Sequence, residues 1–232
     1  MSEAGPMSTP RWSAPVVVVV TGTDTGVGKT WTAAALARAA STAGRRVVAI
    51  KPFETGCAEL ADDAEDGVIL ARAAGQRAPS RALVRLKAPV AAPEAADREG
   101  VTLDYDAAVR DVRALVVGAD LAIVEGAGGL LSPLTWERSA IDLARDLRAR
   151  VLVVGVDRLG TVNHTLSTLK MLEVNDLRPL GVVLTAPERA DASTGSNARA
   201  IVRLASVPVS CVPRTVDPDE CARSMEEVLS WL

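Results

Sequence analysis

Cysteine, histidine and aromatic rings are scarce in this chain of 232 residues, and each scarcity closes off a class of protein. The three cysteines, Cys57, Cys211 and Cys221, are an odd set with no Cys-x-x-Cys spacing. That fits free thiols in a reducing compartment and excludes a disulfide framework or a thiolate zinc site. A single histidine, His164, leaves no multi-histidine metal site within one chain. Aromatic residues make up only 3%, so the core has to come from Ala, Val, Leu and Ile. No apolar run approaches the roughly 20 residues needed to cross a bilayer. Residues 1–15 carry glycine, proline, serine and threonine without the apolar stretch of a signal peptide. They read as a tail, and the expected location is the cytoplasm, with no membrane partner. The net charge of −3 argues against a dedicated nucleic-acid binder. Lysine is rare too: Lys29, Lys51, Lys87 and Lys170 are the only four, and arginine supplies the other basic residues.

What is present is a large apolar fraction, 48%. It excludes a disordered chain, and a chain of this length buries about 70% of the surface its unfolded form exposes. Val16–Val20 is an unbroken β-branched run of strand length. An Ala-rich helix follows to about Ala43, with Gly44 placed to end it. Val47–Ile50, Leu121–Val124, Val151–Val156, Leu180–Leu184 and Val209–Val212 read as strands. Asp66–Ala74, Tyr105–Val117, Thr161–Leu172, Ala198–Leu204 and Pro218–Trp231 read as helices. The strands are continuous apolar runs, so both faces of the sheet are expected to be covered. This alternation predicts a doubly wound, mostly parallel α/β sheet with helices on both faces. Residues 16–232 read as one domain. In such sheets ligands bind beyond the carboxyl ends of the strands, which is where most of the suggestive segments fall.

The first is Gly22-Thr23-Asp24-Thr25-Gly26-Val27-Gly28-Lys29-Thr30. A glycine-rich turn between strand and helix lets successive backbone N–H groups face a phosphate, and the helix N-terminus adds its dipole. Lys29 supplies a cation for the β- and γ-phosphates, and the Thr30 hydroxyl can ligate Mg²⁺. The spacing is G-x5-G-K-T, one residue longer than the common form. The second segment, Lys51-Pro52-Phe53-Glu54-Thr55-Gly56, puts a lysine at the end of the second strand, where it can neutralise a phosphoryl group in flight. The third, Val124-Glu125-Gly126-Ala127-Gly128-Gly129, puts an acid where a metal-directed carboxylate is needed. Asp62, Asp63, Glu65 and Asp66 form an acidic stretch that also reads as a solvated loop with a helix cap. Leu159-Gly160-Thr161-Val162-Asn163-His164-Thr165 follows a strand; small residues at a helix start make an anion nest, and also an ordinary capped helix.

Four of these segments, in order and at matching spacings, resemble the dethiobiotin synthetase family. They are Thr21–Thr30, Lys51–Gly56, Val124–Gly129 and Leu159–Thr165, and they reach across most of the chain. The longer P-loop spacing is that family's own form. The resemblance implies an ATP-dependent ligase of biotin synthesis. It would carboxylate 7,8-diaminononanoate with CO2, phosphorylate the carbamate with ATP and close the cyclic urea. It assigns phosphoryl-transfer charge stabilisation to Lys29 and Lys51, and places Thr25 near the γ-phosphate. Mg²⁺ would be held by Thr30, Asp66 and Glu125; Asp66 is chosen among the acids because it opens the helix Asp66–Ala71. The nucleotide would lie on Gly26, Val27, Gly28, Lys29, Thr30, Trp31, Asp66, Glu125, Gly126, Ala127 and Gly128, with Thr185, Pro213, Arg214, Thr215 and Glu220 at the base end. Thr55 and Lys51 would contact the diamine or its carbamate, and Ala88–Pro93 looks like the substrate-side loop. The substrate's carboxylate would sit on Gly160, Thr161, Val162 and Asn163 of a partner subunit, so a homodimer is implied. Where members of the family often carry an Asn that reads adenine, this chain has Leu184-Thr185-Ala186-Pro187.

Two rival readings share the loop. Cobyrinic acid a,c-diamide synthases need an added glutaminase domain with a catalytic Cys and His, for which this sequence has no room. A partitioning-type ATPase switch usually carries a second lysine at the start of its P-loop, where Gly22 and Thr23 stand.

Overall fold

The structure is a computed structural model that describes residues 15–58, 62–213 and 218–232. The elements along the chain are β1 (Val16–Gly22), α1 (Lys29–Thr42), β2 (Val47–Ile50), β3 (Phe53–Thr55), α2 (Asp66–Ala74), β4 (Val84–Leu86), α3 (Ala92–Glu99), α4 (Tyr105–Leu115), β5 (Leu121–Gly129), α5 (Ala140–Asp146), β6 (Arg150–Val156), α6 (Thr161–Val174), β7 (Pro179–Thr185), α7 (Asn197–Ala205), β8 (Val209–Val212), α8 (Pro218–Ser224) and α9 (Glu226–Ser230). Six strands form one parallel sheet in the order β2-β5-β1-β6-β7-β8. The chain winds outward from β1 in both directions, so the loop after β1 opens at the switch point where such sheets take ligands.

Period-2 side-chain alternation splits each valine run between two cores. Val19, Ala122, Val124, Val151, Val153 and Val182 belong to one, packed with α4 and α5. Val18, Val20, Leu121, Ile123, Leu152 and Val154 belong to the other, packed with α1. Both faces are therefore covered, as the unbroken apolar runs require. The alanines of α1 let it lie close on the sheet: Ala33, Ala35, Leu36, Ala37, Ala39 and Ala40 are all buried.

Several boundaries and elements differ from the sequence reading. The β3–β4 pair, three residues each, and the helices α3 and α5 have no counterpart in it. These strands are too short to show a period, and α3 buries only Ala and Pro, which carry little apolar signal. The substrate-side segment Ala88–Pro93 is partly helical, because α3 begins at Ala92. β5 continues through the Glu125–Gly129 turn residues, and α4 stops at Leu115. The expected last helix is two, broken at Met225, whose side chain is fully buried in the core on the α1 side of the sheet. No described helix is long and apolar enough to cross a membrane.

Candidate active site

Strand register builds the centre of the site. Ile50 of β2 pairs with Val124 of β5, and Val20 of β1 pairs with Glu125. Lys51 and Glu125 are each the next residue along adjacent parallel strands, so they emerge side by side at the carboxyl edge. The Lys51 Nζ lies 2.6 Å from Glu125 Oε1 and 2.7 Å from Asp66 Oδ2, and donates to the Gly126 carbonyl at 3.2 Å. All three ammonium hydrogens have acceptors. Thr30 Oγ1, at the start of α1, is 2.7 Å from Asp66 Oδ1 and 2.9 Å from Glu125 Oε1. Lys29 Nζ donates to the Asp24 carbonyl at 3.1 Å, bending back over the loop. Gly22 makes that fold possible: a Cβ there would fall 2.6 Å from the Asp24 oxygen and 3.1 Å from Lys29 Nζ.

The cluster is dry. Lys29, Lys51 and Glu125 are buried, and Asp66 keeps a third of its side chain exposed. Burial disfavours the charge on Lys51, but Glu125 and Asp66 outweigh it and raise its pKa above the usual lysine value. Burial pushes Asp66 up, and Lys51 more than offsets this, leaving it below the ordinary range. Lys29 is lowered by burial and by the neighbouring Lys51 charge. Glu125 is raised by its complete burial, against the pull of Lys51.

The donor set suits a hard divalent cation. Thr30, Asp66 and Glu125 offer only oxygens, the ligand type magnesium prefers. Glu125 Oε2 is buried without a hydrogen-bond partner, so one carboxylate oxygen has its bonding capacity unused.

Two cavities flank the P-loop and meet at Gly26, Gly28 and Trp31. The larger, about 860 Å³, holds Lys29, Thr30, Lys51, Asp66 and Glu125. Thr25, Thr55, Ala127 and Gly128 line it too, with Pro89–Ala92 and Ser132-Pro133 as its outer walls. The smaller, about 640 Å³, is lined by Val27, Thr185, Ala186, Pro187, Arg158, Glu188, Arg189 and Pro213 among others. Thr185 lines it with its hydroxyl already engaged, donating toward the carbonyls of Val27 at 3.0 Å and Gly155 at 3.3 Å.

The structure does not bring every expected residue together. Gly160, Thr161, Val162 and Asn163 start α6 and line neither cavity. Glu220 is exposed on α8 and lines neither; Arg214 and Thr215 lie outside the described residues. Conversely, Glu54, Ser132 and Arg158 line the cavities without having been assigned a part. Glu54 sits inside the Lys51–Gly56 segment, but a lone acid in a three-residue strand carries no sequence signal of its target.

Comparison with known proteins agrees with this geometry. A family described as "AAA domain" matches residues 16–217. An ATP-dependent dethiobiotin synthetase BioD of Anaeromyxobacter dehalogenans strain 2CP-C is 42% identical over 216 residues, 91% of this chain and 96% of that protein. The Aquifex aeolicus protein of the same name is 34% identical, across 86% of this chain and 90% of its own length.

The chain belongs to the dethiobiotin synthetase family.

With that family it is an ATP-dependent ligase built on a P-loop fold. Among solved structures, a ParA family ATPase from Chlorobium tepidum superposes with a TM-score of 0.56 at 16% identity, covering 94% of this chain and 91% of that one. The septum site-determining protein MinD from Pyrococcus horikoshii gives 0.54 at 15%. At such identities the likeness concerns the fold alone.

Proposed function

We propose that the protein makes dethiobiotin from 7,8-diaminononanoate, CO2 and ATP, in the cytoplasm and as a homodimer. One observation carries the reading. Lys51 and Thr30 each contact both Asp66 and Glu125, at 2.6 to 2.9 Å, beside the P-loop, and among the described residues no cysteine, serine or histidine joins that cluster. Phosphoryl transfer needs charge neutralisation and positioning rather than a protein nucleophile. A ligase whose substrate supplies its own nucleophile needs the same.

In the reaction, one amine of the diamine adds to CO2 and loses a proton, giving a carbamate. A carbamate oxygen attacks the γ-phosphorus and the bond to ADP breaks. The second amine then attacks the carbamoyl carbon of the mixed anhydride; phosphate leaves and the cyclic urea closes. Lys29, with the amides of Gly26 to Thr30, holds the β- and γ-phosphates, and Thr25 stands beside them. Lys51, in the same cavity as Thr55, is placed to neutralise the carbamate and the transferring phosphoryl group. Thr30, Asp66 and Glu125 would hold Mg²⁺, which when bound neutralises phosphate charge. The apolar wall of Phe53, Ile69 and Val90 suits an aliphatic chain.

The carboxylate of that chain would rest on the Gly160–Asn163 nest of the second subunit. Support comes from its absence from the same chain's cleft, and from Leu159 beside it, 81% exposed. Mixing an inactive Lys51 variant with an inactive Asn163 variant should then regain activity, because one site of each hybrid dimer is intact. No recovery would remove the shared site. The reaction itself is tested by phosphate release with ATP and Mg²⁺. Release that needs both diamine and bicarbonate is the expected result; release indifferent to the diamine would reject a synthetase in favour of an ATPase switch.

A further inference from the structure

Strand register places Lys51 and Glu125, but Asp66 belongs to a helix, and something else must aim it. The small β3–β4 sheet does this. Glu54 on β3 sends its carboxylate to the first turn of α2, where it accepts the backbone N–H of Asp66 through one oxygen and that of Gly67 through the other, the latter at 3.0 Å. These are two of the helix-start amides that have no partner inside the helix, and a carboxylate there also complements the helix dipole. Arg85, which pairs directly with Glu54 across the β3–β4 ladder, forks onto Glu65, the residue that precedes α2. Arg85 also donates to the Ala58 carbonyl at 2.8 Å. Gly67 lets the helix end press on the Arg81-Ala82 backbone, which a Cβ would strike. Four contacts thus fix the turn that carries Asp66.

The ligand atoms of Glu54, Cys57 and Glu65 lie within 4.8 Å of one another, a spacing that would also suit a metal. Their acceptor capacity is already engaged: Glu54 by two amides, Glu65 by a guanidinium fork and the Asp62 N–H. The cluster is a brace for α2.

The geometry points to Glu54 as the positioning residue of Asp66: its carboxylate locks the first turn of α2, and that holds the Asp66 side chain against Thr30 and Lys51 and within reach of the divalent cation. This rests on the assignment of Asp66 to the metal in the proposed reaction. Glu54→Gln keeps one acceptor but turns an NH2 group toward a backbone N–H, so one of the two locking bonds is lost.

Binding of Mn²⁺ in the presence of ADP, followed by electron paramagnetic resonance, reads the effect without turnover. For E54Q the Mn²⁺ dissociation constant should rise tenfold or more, the range seen when partners of metal ligands are removed. E54D should recover part of the loss, and kcat should fall further than the KM for the diamine rises. A folded E54Q that binds Mn²⁺ within twofold of wild type overturns the proposal. Amide exchange in the unaltered protein covers the case in which E54Q does not fold: the Asp66 and Gly67 amides should exchange at least about a hundredfold more slowly than an open helix start, and rapid exchange at both overturns it equally. D66N tests the underlying assignment separately. Normal Mn²⁺ affinity in D66N removes Asp66 from the metal, whereas slow exchange at its amide would still leave Glu54 as the lock on α2.

Discussion

Under the proposed function the larger cavity takes the triphosphate and the smaller the base, and the two are built on opposite principles. At the phosphate end, two lysines, two acids and a threonine hydroxyl converge in a buried cluster where nearly every polar atom is engaged. At the base end Val27, Ala186, Pro187 and Pro213 wall the cavity together with Arg158, Glu188 and Arg189, and the threonine that faces it spends its hydroxyl on the protein's own carbonyls. Charge held out of water is worth far more than charge in water, so on the proposed reading recognition and chemistry concentrate on the triphosphate.

Removing Lys51 should break this contrast most severely. Lys51→Ala is expected to lower turnover by at least about a hundredfold, roughly 3 kcal/mol, the scale of losing one preorganised charge. The substitution also strands Glu125, which is fully buried, and unpairing a buried charge destabilises by about 3 kcal/mol. Thermal unfolding should therefore shift downward. Adding Glu125→Gln should restore much of the stability and none of the turnover; joint recovery would show that Lys51 serves folding alone.

The base end sharpens the contrast from the other side. With Thr185 occupied, kcat/KM for ATP, GTP and CTP should agree within about a hundredfold, roughly 2.7 kcal/mol. A preference for ATP beyond about 10⁴ would mean that backbone groups, or Arg158 and Glu188, read adenine closely. Thr185→Val should leave those ratios unchanged. It should instead weaken all three nucleotides together and cost about 1–3 kcal/mol of stability, because the Val27 and Gly155 carbonyls lose a donor. A change in the ratios would return Thr185 to base reading.

The smallest effect lies in the loops beyond the base. Asp191 accepts bonds from the Ser193 hydroxyl, the Ser193 N–H and the Leu159 N–H, at 2.6 to 2.8 Å. With the Ser193 hydroxyl contributing most, they hold its pKa down at about 2 against an ordinary 3.8. A depressed carboxyl stabilises the folded state fully above the unfolded value, so this contribution persists above pH 3.8 and is lost as the pH falls through about 2. An NMR titration of the Asp191 carboxyl should show the low midpoint, and Ser193→Ala should move it upward. An unmoved midpoint would assign the depression to the backbone donors.

How much of this was legible in the sequence varies residue by residue. The P-loop, Lys51 and Glu125 were legible because each follows an apolar strand directly, and the strands of a parallel sheet present their carboxyl ends to one crevice. Asp66 stood among four acids of similar appearance, and only likeness to a family separated it from Asp62, Asp63 and Glu65. Glu54 was visible as a letter but not as a device, since its partners are amides twelve and thirteen positions away. The engagement of Thr185 was hidden for the same reason: Val27 lies 158 positions from it.

By itself, then, the sequence determined the doubly wound sheet, the phosphate cradle and the lysine and acid at its strand ends, because hydrophobic period and glycine spacing are local properties. Tertiary structure alone decided that Lys51 spans Asp66 and Glu125, that the β3–β4 pair braces α2, and that Thr185 turns toward Val27. Strand register and helix placement depend on which distant segments pack together, and pairings of that kind leave no periodic trace along the chain.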